Sequence, residues 1–266
     1  MNVHAPLRFL AAHTVRPVFG PSTGGAAAQS TLIGDFEDRV VEILDGRCLD
    51  ERFDLDTQGF ALHSLAPAGN LYDRSVIAQI HDAQCRQLVT EATGAGRVEI
   101  FDHTWRSTEP GIRERHSSRE PSAFIHNDYT PRSAVKRIHD LMGAEAASLA
   151  RGDFAIVNVW RPIESVRSAP VALCDARTIA ADSLVPAERR AKARTGEIFL
   201  VHYGADQRWI YFPEMQTDEV LLIKTYDSRT DGRARWSPHT SFDAPDDGSI
   251  PPPRESIETR LFVFLG

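Results

Sequence analysis

Clustered basic residues are scarce in this 266-residue sequence. Lysine occurs only at Lys136, Lys192 and Lys224, and the formal net charge is −7 although arginine is common. Proteins that bind nucleic acids present clustered lysine and arginine to the phosphates. The sequence therefore argues against a nucleic-acid partner, and we expect its partners to be small molecules.

Cysteine and long apolar segments are scarce as well. Cys48, Cys85 and Cys174 have no metal-type spacing, and three cysteines cannot all be paired within one chain. No segment approaches the length of a membrane-spanning helix, and the N-terminus has neither a basic start nor a continuous apolar stretch. We therefore expect a cytoplasmic protein without a membrane partner, and no feature of the sequence indicates an oligomeric state.

What the sequence does contain is one His-x-Asp triplet, His126-Asn127-Asp128, with His239 far downstream. Alternate residues of a strand point to the same side, so His126 and Asp128 can reach one metal while Asn127 points away. Two imidazoles and a carboxylate occupy one face of Fe(II) and leave three positions for a chelating 2-oxo acid and O2. We predict that His126, Asp128 and His239 form such a catalytic iron site.

An arginine and a serine that follow His239 fit the cosubstrate. The distant carboxylate of 2-oxoglutarate needs a fixed cation, and a guanidinium with a nearby hydroxyl matches it well. Arg254 and Ser256 supply both groups, 15 residues after His239, a separation that fits the next strand of a small barrel. Other Arg-x-Ser triplets begin at Arg115 and Arg235, but both precede His239.

Each of these assignments has a competitor within the chain. His202 lies in a predicted strand and competes with His239 for the third ligand position, and His103 is a weaker rival. Arg260 competes with Arg254 because it lies on the same predicted strand. Ser256 has the alternative of a hydrogen bond to backbone.

Six longer phrases extend the pattern beyond the triplet. They are residues 156–163 (IVNVWRPI), 172–177 (ALCDAR), 219–224 (EVLLIK), 226–228 (YDS), 237–242 (SPHTSF) and 252–258 (PPRESIE). These phrases resemble the fungal and bacterial oxygenase family that includes the cephalosporin 7α-methoxylase component and the fungal gibberellin desaturase. The resemblance runs from about residue 60 to the C-terminus and is much more specific than any triplet.

The resemblance implies an Fe(II)/2-oxoglutarate-dependent enzyme in which a double-stranded β-helix carries the iron. The family catalyses hydroxylation, desaturation and methoxylation of small natural products, so it implies no single reaction outcome. The chain departs from the family pattern at Gln207-Arg208-Trp209, where a His-x-Trp is expected. That departure concerns the lining of the pocket and leaves the three metal ligands unaffected.

We predict a mainly β fold with flanking helices, of the jelly-roll, cupin-like type. The length of the chain and its 42% hydrophobic content suit one domain over residues 1–266. Within it, residues 1–120 are expected to form helical and strand support, and residues 121–266 the metal-bearing core. Helices are predicted over residues 73–93 and 133–149, and the predicted strands include residues 124–128, which carry the triplet, and residues 171–177. The charged segment 109–121 is predicted to be a mobile loop over the site mouth, and whether it closes as a lid is left open.

The predicted reaction is oxidation of an unactivated C–H bond of a small molecule in natural-product biosynthesis, by hydroxylation, desaturation or oxidative cyclisation. Asn158, Trp160 and Arg161 are candidate substrate contacts, although Arg161 has the alternative of fixing loop carbonyls. One competing function is a cupin-like metalloenzyme that does not use 2-oxoglutarate and has no need of Arg254. The other is a non-catalytic jelly-roll ligand-binding protein, which the complete His-Asp-His set disfavours.

Overall fold

Two curled β-sheets make up most of the protein, for which a computed structural model describes residues 1–192, 194–244, 248 and 250–266. Their strands are β1 (Val3–Leu10), β2 (Val18–Gly20), β3 (Thr31–Ile33), β4 (Phe36–Asp45), β5 (Phe60–Ser64), β6 (Arg97–Ser107), β7 (His126–Asn127), β8 (Phe154–Pro162), β9 (Val171–Cys174), β10 (Leu184–Ala191), β11 (Arg194–Val201), β12 (Trp209–Tyr211), β13 (Glu219–Asp227), β14 (His239–Ser241) and β15 (Glu255–Phe264). The larger sheet has the order β1-β4-β12-β9-β14-β7-β11-β10-β2-β3, and the smaller sheet has the order β5-β13-β8-β15-β6.

Short helices flank the sheets. They are α1 (Arg74–Val76), a π-helical turn (Ile77–His81), α2 (Asp82–Thr93), α3 (Pro110–His116), α4 (Pro131–Leu141), α5 (Ala146–Leu149) and three 3-10 turns (Gly143–Glu145, Ala176–Thr178 and Ala181–Ser183). The helix predicted over residues 73–93 is confirmed: the Asp73 side chain caps its start, and Gly94 ends it with a φ of 67°. Among the described residues, no helix has the length and apolar character needed to cross a membrane.

Apolar side chains from both sheets form the core between them. Phe60, Trp160 and Ile223 of the smaller sheet pack against Leu173 and Ile210 of the larger sheet. Side chains alternate across each strand, so the facing sides of the two sheets supply these residues. The mainly β, jelly-roll prediction is confirmed.

The opposite side of the smaller sheet is covered by α2. Leu88 and Val89 of α2 contact Val157 and Val159 of β8, together with Leu261 of β15. Because both faces of the sheet are covered, every residue of β8 is buried. The α2 contact therefore decides which residues of β8 and β15 face inward toward the larger sheet.

Three local predictions differ from the structure. Segment 109–121 contains α3, which begins at a Glu109 cap and whose Arg113 donates to backbone carbonyls, so it is not the predicted loop. The strand predicted around the triplet is only the two residues of β7. The strand predicted over residues 171–177 ends at Cys174, because the Asp175 side chain accepts a hydrogen bond from the Arg177 backbone and starts a 3-10 turn.

The N-terminal strands are divided between the two sheets. Strands β1 and β4 belong to the larger sheet, and β5 and β6 form the edges of the smaller one. The predicted division between residues 1–120 and 121–266 therefore does not follow a boundary between sheets. A single domain over residues 1–266 stays a prediction.

Candidate metal centre

Two strands that are distant in sequence bring the predicted metal ligands together. His126 lies in β7, Asp128 follows this strand, and His239 begins β14 as the direct antiparallel partner of His126. One ligand atom from each side chain lies within 4.8 Å of the other two. The Nε2 atom of His126 is 3.7 Å from an oxygen of Asp128. This spacing suits a single metal ion.

Backbone carbonyls orient both imidazoles. The Nδ1 atoms of His126 and His239 lie 3.1 Å from the carbonyls of Phe124 and Ser237, respectively. A carbonyl only accepts hydrogen bonds, so each Nδ1 carries the proton and each Nε2 presents a lone pair. Within the described part of the chain, the buried Nε2 of His239 has no hydrogen-bond partner. A buried lone pair without a hydrogen-bond partner fits a metal ligand.

The carboxylate of Asp128 is held through one of its two oxygens. Its Oδ2 accepts hydrogen bonds from Asn158 Nδ2 at 2.8 Å and from Arg260 Nε at 3.0 Å, while Oδ1 faces His126. Burial alone would raise the pKa of Asp128, but the nearby Arg260 charge holds it below its ordinary value. Burial, assisted by His239, lowers the pKa of His126 to about 3. A carboxylate beside neutral imidazole suits Fe(II).

Arg254 lines a small cavity with the same histidines. This cavity is bounded by His126, His239, Trp160, Arg254 and further residues. The Arg254 guanidinium lies over the Trp160 ring at 5.5 Å, and its one hydrogen bond within the described ranges runs from Nη1 to the Ala169 carbonyl at 2.7 Å. Burial lowers its pKa to about 9, so it is charged at neutral pH. A buried cation with spare donors fits a carboxylate ligand.

Ser256 has no competing hydrogen bond. Its Oγ is buried and has no partner among the residues that the structure describes, so the backbone bond considered as an alternative is not made. Arg260, the rival of Arg254, forms ion pairs with Asp102, Asp128 and Glu258. Its charge is therefore already balanced by carboxylates.

The three candidate substrate contacts lie on two faces of β8. Asn158 and Trp160 face inward, where Asn158 holds the Asp128 carboxylate and Trp160 lies under Arg254. Arg161 faces outward, and its guanidinium donates to the Ala66 carbonyl at 2.6 Å and to Gln84 at 2.9 Å. The geometry thus corresponds to the alternative in which Arg161 fixes a loop, because its side chain points away from the metal centre.

Sequence reasoning did not assign the support of Asp128 to Asn158 and Arg260. These residues are direct partners in the pairing of β8 with β15, so their inward side chains lie next to each other. Strand alternation places each of them on an inward face, but the register between the two strands is needed to bring them together. That register is not visible in either strand alone.

The rival histidines lie elsewhere. His103 contacts the Thr259 hydroxyl through Nδ1 at 2.9 Å and lies 3.3 Å from Asp82 through Nε2. His202 is not part of the three-residue cluster. At the departure from the family pattern, Gln207 stands where a histidine is expected, and its Nε2 donates a hydrogen bond to the His202 carbonyl at 2.8 Å. Gln207 is not among the residues that line the small cavity beside the metal centre.

A larger cavity of about 660 Å³ adjoins the metal centre. His126, Asp128 and Arg260 form part of its wall, together with side chains from α4, β10 and β11. A jelly roll in which two imidazoles and one carboxylate adjoin a cavity is typical of one class of protein, the mononuclear non-haem iron oxygenases.

Comparisons with known proteins agree with this class. The family model described as "Oxidoreductase/YMDC permease-like domain" matches residues 7–264. Hydroxylase/desaturase CTB9 of Cercospora beticola is 34% identical over 252 residues, which cover 86% of this chain and 77% of that protein. The Fe(II)/2-oxoglutarate-dependent dioxygenase nvfI of Aspergillus novofumigatus is 34% identical over 237 residues, which cover 85% of this chain and 83% of that protein.

Solved structures agree as well. The iron and alpha-ketoglutarate-dependent endoperoxidase NvfI superposes with a TM-score of 0.84 at 29% identity, covering 100% of this chain and 98% of that one. The chain therefore belongs to the family of Fe(II)/2-oxoglutarate-dependent oxygenases that contains these proteins. The predicted oxygenase resemblance is confirmed, whereas the narrower comparison with the cephalosporin 7α-methoxylase component stays a prediction.

Proposed function

We propose that this protein is an Fe(II)/2-oxoglutarate-dependent dioxygenase in which His126, Asp128 and His239 bind the iron and Arg254 and Ser256 bind 2-oxoglutarate. The observation that carries the proposal is a small cavity whose wall contains both His126 and His239 together with the buried Arg254. The two histidines form a cluster of ligand groups with the Asp128 carboxylate, and Arg254 is followed two residues later by the buried, unpartnered hydroxyl of Ser256. A cupin-like enzyme without 2-oxoglutarate, or a metal-free binding protein, leaves Arg254 and Ser256 without a role.

When bound, Fe(II) with 2-oxoglutarate and O2 supplies the oxidising power for C–H cleavage, and the 2-oxo acid is converted to succinate and CO2. The residues of the chain orient these groups. The Phe124 and Ser237 carbonyls keep both Nε2 atoms directed at the metal position. Asn158 and Arg260 occupy one oxygen of Asp128, which leaves the other for the metal.

Arg254 holds the cosubstrate in a water-poor environment. Its guanidinium is positioned by the Ala169 carbonyl and by the Trp160 ring, and both it and Ser256 are buried. A charged pair formed in such surroundings is stronger than one formed in water. Burial also protects a reactive centre from solvent.

The substrate is a small molecule of natural-product biosynthesis, and the oxidised position is an unactivated C–H bond. Names of the relatives, such as hydroxylase/desaturase and aspirochlorine biosynthesis protein N of Aspergillus oryzae, support this choice. Hydroxylation, desaturation and oxidative cyclisation share the same iron chemistry and differ in how the substrate carbons lie relative to the metal. Scarce, unpaired cysteines support a cytoplasmic location.

An anaerobic titration with Fe(II) and 2-oxoglutarate tests the proposal. We expect the weak visible charge-transfer absorption of the chelate in the unmodified protein, its loss in His126→Ala, and its weakening in Arg254→Ala. His202→Ala is the matched control and should retain the band, because His202 is outside the ligand cluster. Absence of the band from folded, iron-loaded protein would overturn the assignment and favour metal chemistry without 2-oxoglutarate.

A further inference from the structure

The cavity of about 660 Å³ beside the metal centre is positively charged, although the chain carries a net charge of −7. Six arginines and Lys136 line it, against four carboxylates. One of these carboxylates is Asp128, the proposed iron ligand. The excess of positive charge is thus concentrated where the substrate has to bind.

Most of these cations already have a partner. Arg260 pairs with Asp102 and Asp128, Lys136 and Arg194 pair with Asp140, Arg106 donates to the Glu120 carbonyl, and Arg137 lies over the Phe101 ring. Two arginines of the lining remain, Arg119 and Arg189. Neither has an ion pair within 4.0 Å or a side-chain hydrogen bond to any residue of the described ranges.

Arg189 is directed into the cavity by strand alternation. In β10, Glu188 and Arg190 are exposed and pair with each other at 2.8 Å on the outer face. Arg189 lies on the opposite face, in line with the fully buried Ala187. The one acidic neighbour in sequence is therefore engaged by Arg190 and not by Arg189.

Arg119 lies beside β6, where it forms an isolated bridge with Arg106. The acidic residue that follows it, Glu120, accepts hydrogen bonds from Ser22 and from the Ser30 hydroxyl and amide. The charge of Arg119 is therefore also left without a carboxylate in contact.

Both arginines are affected by the surrounding positive charge. Burial lowers the pKa of Arg189 to about 10, and the charges of Arg194, Arg260 and Arg119 add to this effect. Burial likewise lowers the pKa of Arg119, assisted by Arg106 and Arg260. Like charges in a partly desolvated cavity raise the electrostatic free energy of the protein. A bound anion offsets this repulsion.

We propose that Arg119 and Arg189 bind a carboxylate of the substrate, so that the enzyme oxidises an organic acid whose apolar body lies against the rest of the cavity. The planar carboxylate offers an oxygen to each guanidinium. Phe19, Ala191 and Ile198 provide apolar wall for the body. This inference rests on the proposed oxygenase function, since it assigns the cavity to the substrate.

The test uses the enzyme loaded anaerobically with Fe(II) and saturating 2-oxoglutarate. Benzoate, 1-naphthoate and 1-adamantanecarboxylate are each compared with the matching primary amide by calorimetric titration. We expect at least one acid to bind about tenfold more tightly than its amide, the ratio expected for a charged hydrogen bond of about 1.4 kcal/mol. Arg119→Gln and Arg189→Gln should each reduce that ratio, and the double variant should abolish it.

Arg190→Gln is the matched control, because it changes the adjacent arginine of β10 on the outer face and should leave the ratio unchanged. The visible absorption of the chelate distinguishes failure of the carboxylate site from failure of the oxygenase function. If the band is present but no acid is preferred, or if the preference survives the double variant, the carboxylate site is refuted and the oxygenase function stands. Displacement of 2-oxoglutarate by the acids would also refute it, since they would then occupy the Arg254 site. Absence of the band would overturn both proposals.

Discussion

Arg161 and Arg254 are buried on opposite sides of the smaller sheet, and the two arginines are used differently. Arg161 on the outward face uses both Nη atoms to bind Gln84 and the carbonyls of Ala66 and Thr217. The guanidinium of Arg254, on the inward side, makes one hydrogen bond to the described residues, to the Ala169 carbonyl, and lies over Trp160. Both Nη atoms of the outward arginine are bound by the protein itself, whereas the inward arginine keeps donors for a ligand.

The remaining residues of the sheet follow the same division. Outward residues such as Val157, Val159 and Leu261 pack on α2 and contribute apolar burial. Inward residues such as Asn158 and Arg260 hold the Asp128 carboxylate. Substitutions on the outward face should therefore change the free energy of unfolding, and substitutions on the inward face should change ligand affinity.

Arg254→Met should have the largest effect on ligand affinity. Loss of the cation leaves the carboxylate of 2-oxoglutarate buried without its partner, which costs about 3–5 kcal/mol, or more than about 100-fold in Kd. The free energy of unfolding without ligands should change by less than about 1 kcal/mol, because an apolar side chain replaces a desolvated charge. Chelate titration and urea unfolding measure the two quantities. Retained affinity together with a large loss of stability would place Arg254 with Arg161 as a structural residue.

Arg161→Met should reverse that pattern. Its hydrogen bonds tie the segment before α1 to β8, and their loss should lower the free energy of unfolding by about 2 kcal/mol. The Kd for 2-oxoglutarate in the folded variant should stay within about twofold of the original, since the side chain points away from the centre. The same two measurements apply. A large change in this Kd would contradict the division between the faces.

Asn158→Ala should weaken Fe(II) binding by at least about tenfold, or about 1.4 kcal/mol, because Asp128 loses a hydrogen bond that orients it. Competition with a chelator of known affinity measures the change. Val157→Ala, on the outward face of the same strand, is the control and should lower stability without altering metal affinity. Equal metal affinities for both variants would show that Asn158 does not orient the ligand.

The smallest effect is the pH dependence contributed by His81, on the outward side of β15. Burial, with the charges of Arg161 and His103, lowers its pKa to about 3, and its Nε2 lies 2.9 Å from the Thr259 hydroxyl. Below an ordinary pKa of about 6.5 the unfolded chain binds a proton that the folded chain excludes. The free energy of unfolding therefore decreases as the pH is lowered. From about pH 7 to about pH 5.5 the loss due to this group is about 1 kcal/mol.

Urea unfolding of the metal-free protein and of His81→Gln at both pH values isolates that contribution. The variant should lose about 1 kcal/mol less than the original protein over this interval. Identical losses in the two proteins would mean that His81 accepts a proton without unfolding.

Strand alternation and residue chemistry predicted much of the site. The spacing of His126 and Asp128, the shared face of Asn158 and Trp160, and the jelly-roll class all follow from local patterns and long phrases. The helical turn α3 was missed because its segment is charged and lacks an apolar stripe, and its cap and the contacts of Arg113 hold it in place. The two-residue length of β7 depends on its neighbours and has no local signal.

By itself, the sequence determined the types of ligand group and the face on which each lies, because both are properties of single residues and of a two-residue repeat. Only the tertiary structure decided which distant groups meet. The pairing of β7 with β14 brings His239, and not His202, to His126 and Asp128. The curvature and register of the sheets likewise bring Arg119 and Arg189 to one cavity from positions 70 residues apart. Sheet register is a collective property of paired strands, so no single segment specifies it.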